Sequence, residues 1–197
     1  MNTETLTTKG QQTRSRILQA ARELFIKQGY DGLIMREVAK GAGMKLGNLQ
    51  YYFATRDVLL AELIEAEFTA DLEAIRAICE SDRPPTEQLH RIVSTLVGRW
   101  RGESGIVFSA LNFLAIHKPA FKTQRREIYD VFYRELREAI KCADPALSEK
   151  TCQARAWLLT ALVDGAAQQT QTGSVENFLD LIADQALSIA LPNLSKT

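Results

Sequence analysis

Two histidines, three cysteines and five prolines are all that the 197 residues contain of these types, and each scarcity closes off a class of function. His90 and His117 stand far apart, with no nucleophile pattern beside either, so no general-base dyad or triad can be assembled from neighbouring residues. No phosphate-cradling glycine loop and no metal-ligand motif is present, so no enzyme activity, cofactor or metal is expected. Cys79, Cys142 and Cys152 form an odd set without ligand spacing and read as reduced, mostly buried small apolar side chains. Apolar runs fall well short of a membrane span. The stretch from Met1 to Gln12 is polar and has no apolar signal core, so the chain is expected to stay in the cytoplasm. Strand-like alternation, hairpin turn pairs and internal repeats are all missing, which leaves an all-α protein of about nine helices as the expectation.

Net charge is also missing, but only in the sum. Residues 1–58 carry nine basic and five acidic side chains, a balance of +4 that the remainder offsets with −4. Such an asymmetry fits a basic, nucleic-acid-reading end on an acidic body, and chance scatter of surface charge produces differences of this size too. A hydrophobic fraction of 46% and a charged fraction of 24% belong to a globular chain with a core large enough for one or two domains.

The informative stretch is Leu33 to Phe53. Met35, Val38 and Ala39 recur at i, i+3, i+4, and Leu46, Leu49 and Phe53 continue an apolar pattern after a gap that holds Gly43 and Met44. Gly43 can take a positive φ, end one short helix and turn the chain into the next. Two short helices joined in this way make a helix-turn-helix, although spacing by itself favours an ordinary helical corner. The outward positions of the second helix, Lys45, Asn48, Gln50 and Tyr51, offer a cation, two amides and a phenol, groups suited to phosphates and base edges.

The flanks decide between these readings. Thr13, Arg14, Ile17, Leu18, Ala20, Ala21, Leu24, Phe25, Gly29 and Tyr30 precede the turn. Val38, Ala39, Ala42, Gly43, Gly47, Leu49, Tyr52, Phe53 and Leu59 follow in order. Over residues 13–60 this series resembles the N-terminal DNA-binding domain of the TetR family of bacterial transcriptional repressors. The resemblance implies a helix-turn-helix domain at 1–54 and a helical effector-binding and dimerisation domain at 55–197. It also implies a double-stranded DNA operator and a small-molecule effector as partners, a homodimer as the working form, and no membrane association. Arg36 and Asn48 would read base edges. Lys45, Gln50, Tyr51, Tyr52, Thr55 and Arg56 would hold the backbone, while Leu46 and Gly47 would allow close approach. The chain departs from the family pattern at Leu33 and Ile34, where a serine or threonine usually opens the helix. It departs again at Lys45 in place of the usual serine cap, and at Gln50 in place of a phosphate-contacting tyrosine.

Beyond Phe53, Thr55 can cap a long helix to about Ser81, and Asp82-Arg83-Pro84-Pro85 breaks it. Ile106 to Ile116 is apolar nearly all round, which predicts a central buried helix. Pro119 opens a further helix, Ser148 can cap the next, and the last is expected over about 175–190. By resemblance, the body holds a ligand cavity. Its expected aromatic walls are Trp100, Phe108, Phe113, Tyr129, Phe132, Tyr133 and Trp157, and its expected polar anchors are Asn112, His117, Asp164 and Gln168, with Asn112 first. Asn112 stands where the family often has a tryptophan. Ala156, Leu159, Leu162, Val163 and Ala166, with Phe178, Ile182 and Ile189, are the expected dimer contacts. The competing reading is a helical module that binds another protein through its basic end.

Overall fold

The computed structural model describes residues 8–172 and 179–191. Among them lie nine helices: α1 Thr8–Gly32, α2 Met35–Gly41, α3 Leu46–Tyr52, α4 Arg56–Cys79, α5 Pro85–Trp100, α6 Glu103–His117, α7 Pro119–Ala143, α8 Glu149–Thr172 and α9 Leu179–Ala190. The chain divides into two compact units, Met1–Ala66 and Glu67–Thr197, with the division inside α4. The physical reason lies in the first turns of α4, where Leu59, Leu60, Leu63 and Ile64 are buried.

In the N-terminal unit the apolar positions of each helix become the core. Ile17, Ala21 and Phe25 of α1, Val38 and Ala39 of α2, and Leu49 of α3 are buried, as is Phe53 just beyond. Removing the larger of these, Ile17, Phe25, Val38, Leu49 and Phe53, from water contributes about 1.5–3 kcal/mol each. Glycine supplies the two sharp turns. At Gly29 (φ 68°, ψ −167°) the backbone leaves the helical region for one that is essentially glycine-only, so α1 breaks there before a last turn to Gly32. At Gly43 (φ 65°) the chain closes a Schellman turn. The Met44 N–H donates to the Ala39 carbonyl at 2.9 Å, and the Gly43 N–H donates to the Lys40 carbonyl at 3.0 Å. The helix-turn-helix thus ends its first helix with the residue the sequence singled out.

Other punctuation is equally local. The Val58 N–H donates to Thr55 Oγ1 at 3.2 Å, capping α4. The Thr151 N–H donates to Ser148 Oγ at 3.1 Å, capping α8. At the far end of α4 and just beyond it, the Gln88 amide donates to the carbonyls of Cys79 (3.2 Å) and Ser81 (2.7 Å), where a helix end supplies no intrahelical donor.

In the C-terminal unit α7 packs on α6 and α8, while α9 packs on α8 and α5. Its aromatic centre is Trp100, with ring centroids 5.2 Å from Phe108 and 5.3 Å from Phe132, which in turn lies 5.1 Å from Phe68. Beside it Asp71, fully buried, accepts from Trp100 Nε1 at 2.5 Å and pairs with Arg99. Burial pushes the Asp71 carboxyl above its usual range, against the pull of Trp100 and Arg99. Such a charge persists in a core only because it is paired and hydrogen-bonded.

Two expectations fail here. The segment 106–116 is not buried all round, since Phe113 is 62% and Ile116 76% exposed. One face of α6 packs on its neighbours, and Phe113 and Ile116 stand on a face left exposed among the described residues. Cys79 and Cys142 are exposed and only Cys152 is buried, because the first two sit near helix ends away from the core.

Candidate nucleic-acid interface and body cavity

The face of α3 opposite Leu49 is an open polar surface. Lys45, Gly47, Asn48, Gln50 and Tyr51 are exposed, Leu46 and Tyr52 half-buried, and Tyr51 reaches 78% exposure. The Tyr51 and Tyr52 rings meet edge-on at 5.4 Å, which holds one phenol outward on the other. Arg36 on α2 and Thr55 ahead of α4 are exposed as well. No side chain caps α3, in keeping with a lysine at the cap position. The same holds for α2, where Ile34 stands at the cap.

Arg56 is placed differently from the rest. Its guanidinium lies 4.0 Å from the centroid of the Tyr30 ring and donates to the Tyr30 carbonyl at 3.4 Å, while the Tyr30 hydroxyl donates to Asp57 at 3.0 Å. It is a pre-positioned cation rather than a freely swinging one. Arg14 stacks over Phe53 at 4.6 Å and pairs with Glu62, so it serves the unit's own packing.

In the C-terminal unit, a cavity of about 690 Å³ opens between α6, α7 and α8. Its walls are Asn112, Ala115 and Ile116 of α6, Lys122, Thr123, Arg125 and Arg126 of α7, and Asp164 and Gln168 of α8. Behind it runs one hydrogen-bonded chain. Arg125 Nε donates to Asn112 Oδ1 at 2.6 Å, the Asn112 amide donates to the Tyr129 hydroxyl at 3.4 Å, and that hydroxyl donates to Asp164 Oδ2 at 2.8 Å. Arg125 also stacks on the Tyr129 ring at 4.2 Å. Burial raises the Asp164 carboxyl to about 6, only partly opposed by the Tyr129 hydrogen bond and the Arg125 charge. Burial and the neighbouring Asp164 charge push the Tyr129 phenol up as well. A carboxylate on a cavity wall whose pKa is raised by burial to about 6 is a recurring feature of binding sites.

Of the expected ligand residues, Asn112, Asp164 and Gln168 line this cavity, and Tyr129 backs it. Trp100, Phe108 and Phe132 are buried in the aromatic centre and do not line it. Phe113 and His117 are exposed on α6 with rings 5.1 Å apart. Trp157 is exposed on α8, in edge contact with the half-buried Tyr133 at 5.9 Å. The cationic wall was missed. Its signal was present, for Lys122 and Arg126, like Arg125 and Tyr129, are four apart and share a helical face.

The residues expected at a dimer interface differ in their burial. Ala156, Leu159 and Val163 are fully buried and Ala166 nearly so, all within the chain's own core. Leu162 and Ile182 are half-buried, Ile189 is exposed, and Phe178 lies outside the described residues. Among the described residues, the large apolar side chains that α8 and α9 leave in water are Trp157 and Leu158 (56% each), Leu181 (50%) and Ile189 (37%).

Residues 17–63 match the model of the tetR family of bacterial regulatory proteins. An uncharacterized HTH-type transcriptional regulator from the dhlA 5′ region of Xanthobacter autotrophicus is 28% identical over 191 residues, 91% of this chain and 89% of its own. A crystal structure of a transcriptional regulator from Rhodococcus sp. Rha1 superposes with a TM-score of 0.75 at 25% identity, covering 91% of this chain and 94% of that one. A transcriptional regulator from Saccharomonospora viridis, solved in complex with choline, has the same fold at 20% identity (TM-score 0.77), covering 93% of this chain and 97% of its own.

Proposed function

Because the chain belongs to the TetR family and is a transcriptional regulator, we propose that it is a repressor, released from a palindromic operator by a small molecule. The helix-turn-helix domain of residues 1–54 serves DNA binding, helped by Thr55 and Arg56 just beyond it, and the helical domain of residues 55–197 serves effector binding and dimerisation, in the cytoplasm. The observation that carries this reading is the surface of α3. Lys45, Asn48, Gln50 and Tyr51 are exposed on the face away from the buried Leu49, as a helix entering a major groove requires. In this reading Arg36 and Asn48 read base edges. Lys45, Gln50, Tyr51, Tyr52, Thr55 and Arg56 grip the phosphates, and Leu46 and Gly47 sit close to the groove wall.

A two-fold dimer places two such helices about 34–36 Å apart, or a multiple of that, and so demands a palindrome. The exposed apolar residues of α8 and α9 are the surface through which the copies join. The effector occupies the cavity around Asn112, Asp164 and Gln168, and acts only if it prefers a form of the protein that binds DNA less well. α4, which has residues in both units, is the segment through which that preference is transmitted. A coupling of about 1–3 kcal/mol gives roughly 5–150-fold release, and operator DNA must weaken effector binding by the same factor.

Selection of binding sites from random DNA, followed by titration of the selected site against salt, tests this reading. The selected site is expected to be palindromic, with log affinity falling linearly by about 0.9 for each phosphate neutralised per decade of salt. Selection without any consensus, or an affinity insensitive to salt, would overturn it in favour of a protein-binding module.

A further inference from the structure

The walls of the body cavity carry three cations, Lys122, Arg125 and Arg126, against a single carboxylate, Asp164. The three cations do different things. Arg125 is committed to Asn112 and to the Tyr129 ring. Lys122 and Arg126 are exposed one turn apart on α7, and neither has a carboxylate within ion-pair distance among the described residues. No aromatic ring is among the lining residues, whereas recognition of a quaternary ammonium rests on aromatic faces. Ala115 and Ile116 supply the apolar part of the lining, from α6.

Building on the reading of this cavity as the effector site, we propose that it selects a small organic anion. The anionic head is taken by Lys122 and Arg126, and the apolar part lies along Ala115 and Ile116. The repulsive element is Asp164, whose surroundings include Arg125 and Tyr129 from α7, Asn112 from α6 and Gln168 from its own helix. Its carboxyl sits at about 6, so it is mostly charged at pH 7 and mostly neutral at pH 5. Anion binding therefore tightens as pH falls through that window.

Two fluorescent probes with one ring system separate charge from shape: 8-anilinonaphthalene-1-sulfonate, an anion, and N-phenyl-1-naphthylamine, which lacks the sulfonate. Titrated into the full chain, the anion is expected to bind about tenfold or more tightly than the neutral probe, as charge-assisted hydrogen bonds allow. The Lys122→Ala/Arg126→Ala double variant should erase that preference, both side chains being exposed and outside the core. Asp164→Asn should bind the anion at pH 7 as the unaltered chain does at pH 5, with no further gain on acidification. Equal affinity for the two probes, or a preference that survives the double variant, overturns the proposal. Operator release measured alongside keeps the two readings apart. A neutral ligand that releases DNA from the cavity would overturn anion selectivity alone. Anion binding of the expected pattern without any release would leave selectivity standing and overturn the effector reading.

Discussion

Among the described residues, the buried polar side chains Glu67, Asp71, Ser104 and Thr160 all belong to the C-terminal unit. So do most of the large exposed apolar ones, Phe113, Ile116, Trp157, Leu158, Leu181 and Ile189. Among its described residues the N-terminal unit exposes only Ile34, Tyr51 and Val58 of that kind. One unit sorts its side chains by polarity with few exceptions, and the other departs from the rule in both directions. The departures have different physics. Inward polar groups are satisfied: Asp71 by Trp100 and Arg99, Glu67 by Ser104 at 2.7 Å, and Thr160 by the Ala156 carbonyl at 2.9 Å. Outward apolar groups are left exposed among the described residues, and on α8 and α9 a second copy would cover them.

The sharpest way to break this comparison is to make the exposed apolar face polar. Trp157→Asp combined with Leu158→Asp should leave the fold intact and abolish the dimer. Operator affinity should then fall by about 10²–10⁴, the factor lost when two linked half-sites become one. Sedimentation and DNA titration check both parts, and a dimer that persists with full affinity would show that this face is not the joint. Next in size is the opposite kind of change. Leu49→Ala empties a fully buried site beneath the α3 surface and should destabilise the N-terminal unit by about 2–5 kcal/mol, read by chemical denaturation.

Smaller effects sharpen the contrast within the DNA-facing surface. Arg36→Ala should cost about 1–3 kcal/mol at the operator and blur preference at one base pair, whereas Arg56→Ala should weaken all sequences alike and reduce the salt slope by about one contact. Competition binding against operators altered one base pair at a time distinguishes the two. The last prediction concerns pH. The Asp164 carboxyl lies near 6 in the folded chain and near 3.8 when unperturbed, so the folded state holds the extra proton between these values. Stability should decline as pH rises across that window and level off above it. Asp164→Asn should remove the decline and gain on the order of 1–3 kcal/mol at pH 7, measured by denaturation at several pH values.

The N-terminal unit was readable because its determinants are local. A glycine that must take positive φ at Gly43, apolar residues three and four apart at Met35, Val38 and Ala39, and the Thr55 cap each act within a turn or two. Helix order in the C-terminal unit was readable for the same reason, down to the Ser148 cap. Which residues of α8 face inward was not. Ala156, Leu159 and Val163 share a stripe with apolar neighbours on either side, and periodicity alone cannot say which stripe meets the core.

The sequence by itself determined the helices, their breaks, the turn between α2 and α3, and the polar outer positions of α3. Backbone sterics and a 3.6-residue period set these without reference to distant residues. Tertiary structure alone decided that Trp100 and its neighbours fill a core, that Lys122, Arg125 and Arg126 wall a cavity together with Asn112, and that the Asp164 carboxyl is raised to about 6. Those outcomes depend on side chains brought together from α6, α7 and α8, far apart along the chain. Burial and field at a point are properties of all the atoms around it, not of the residues beside it in sequence.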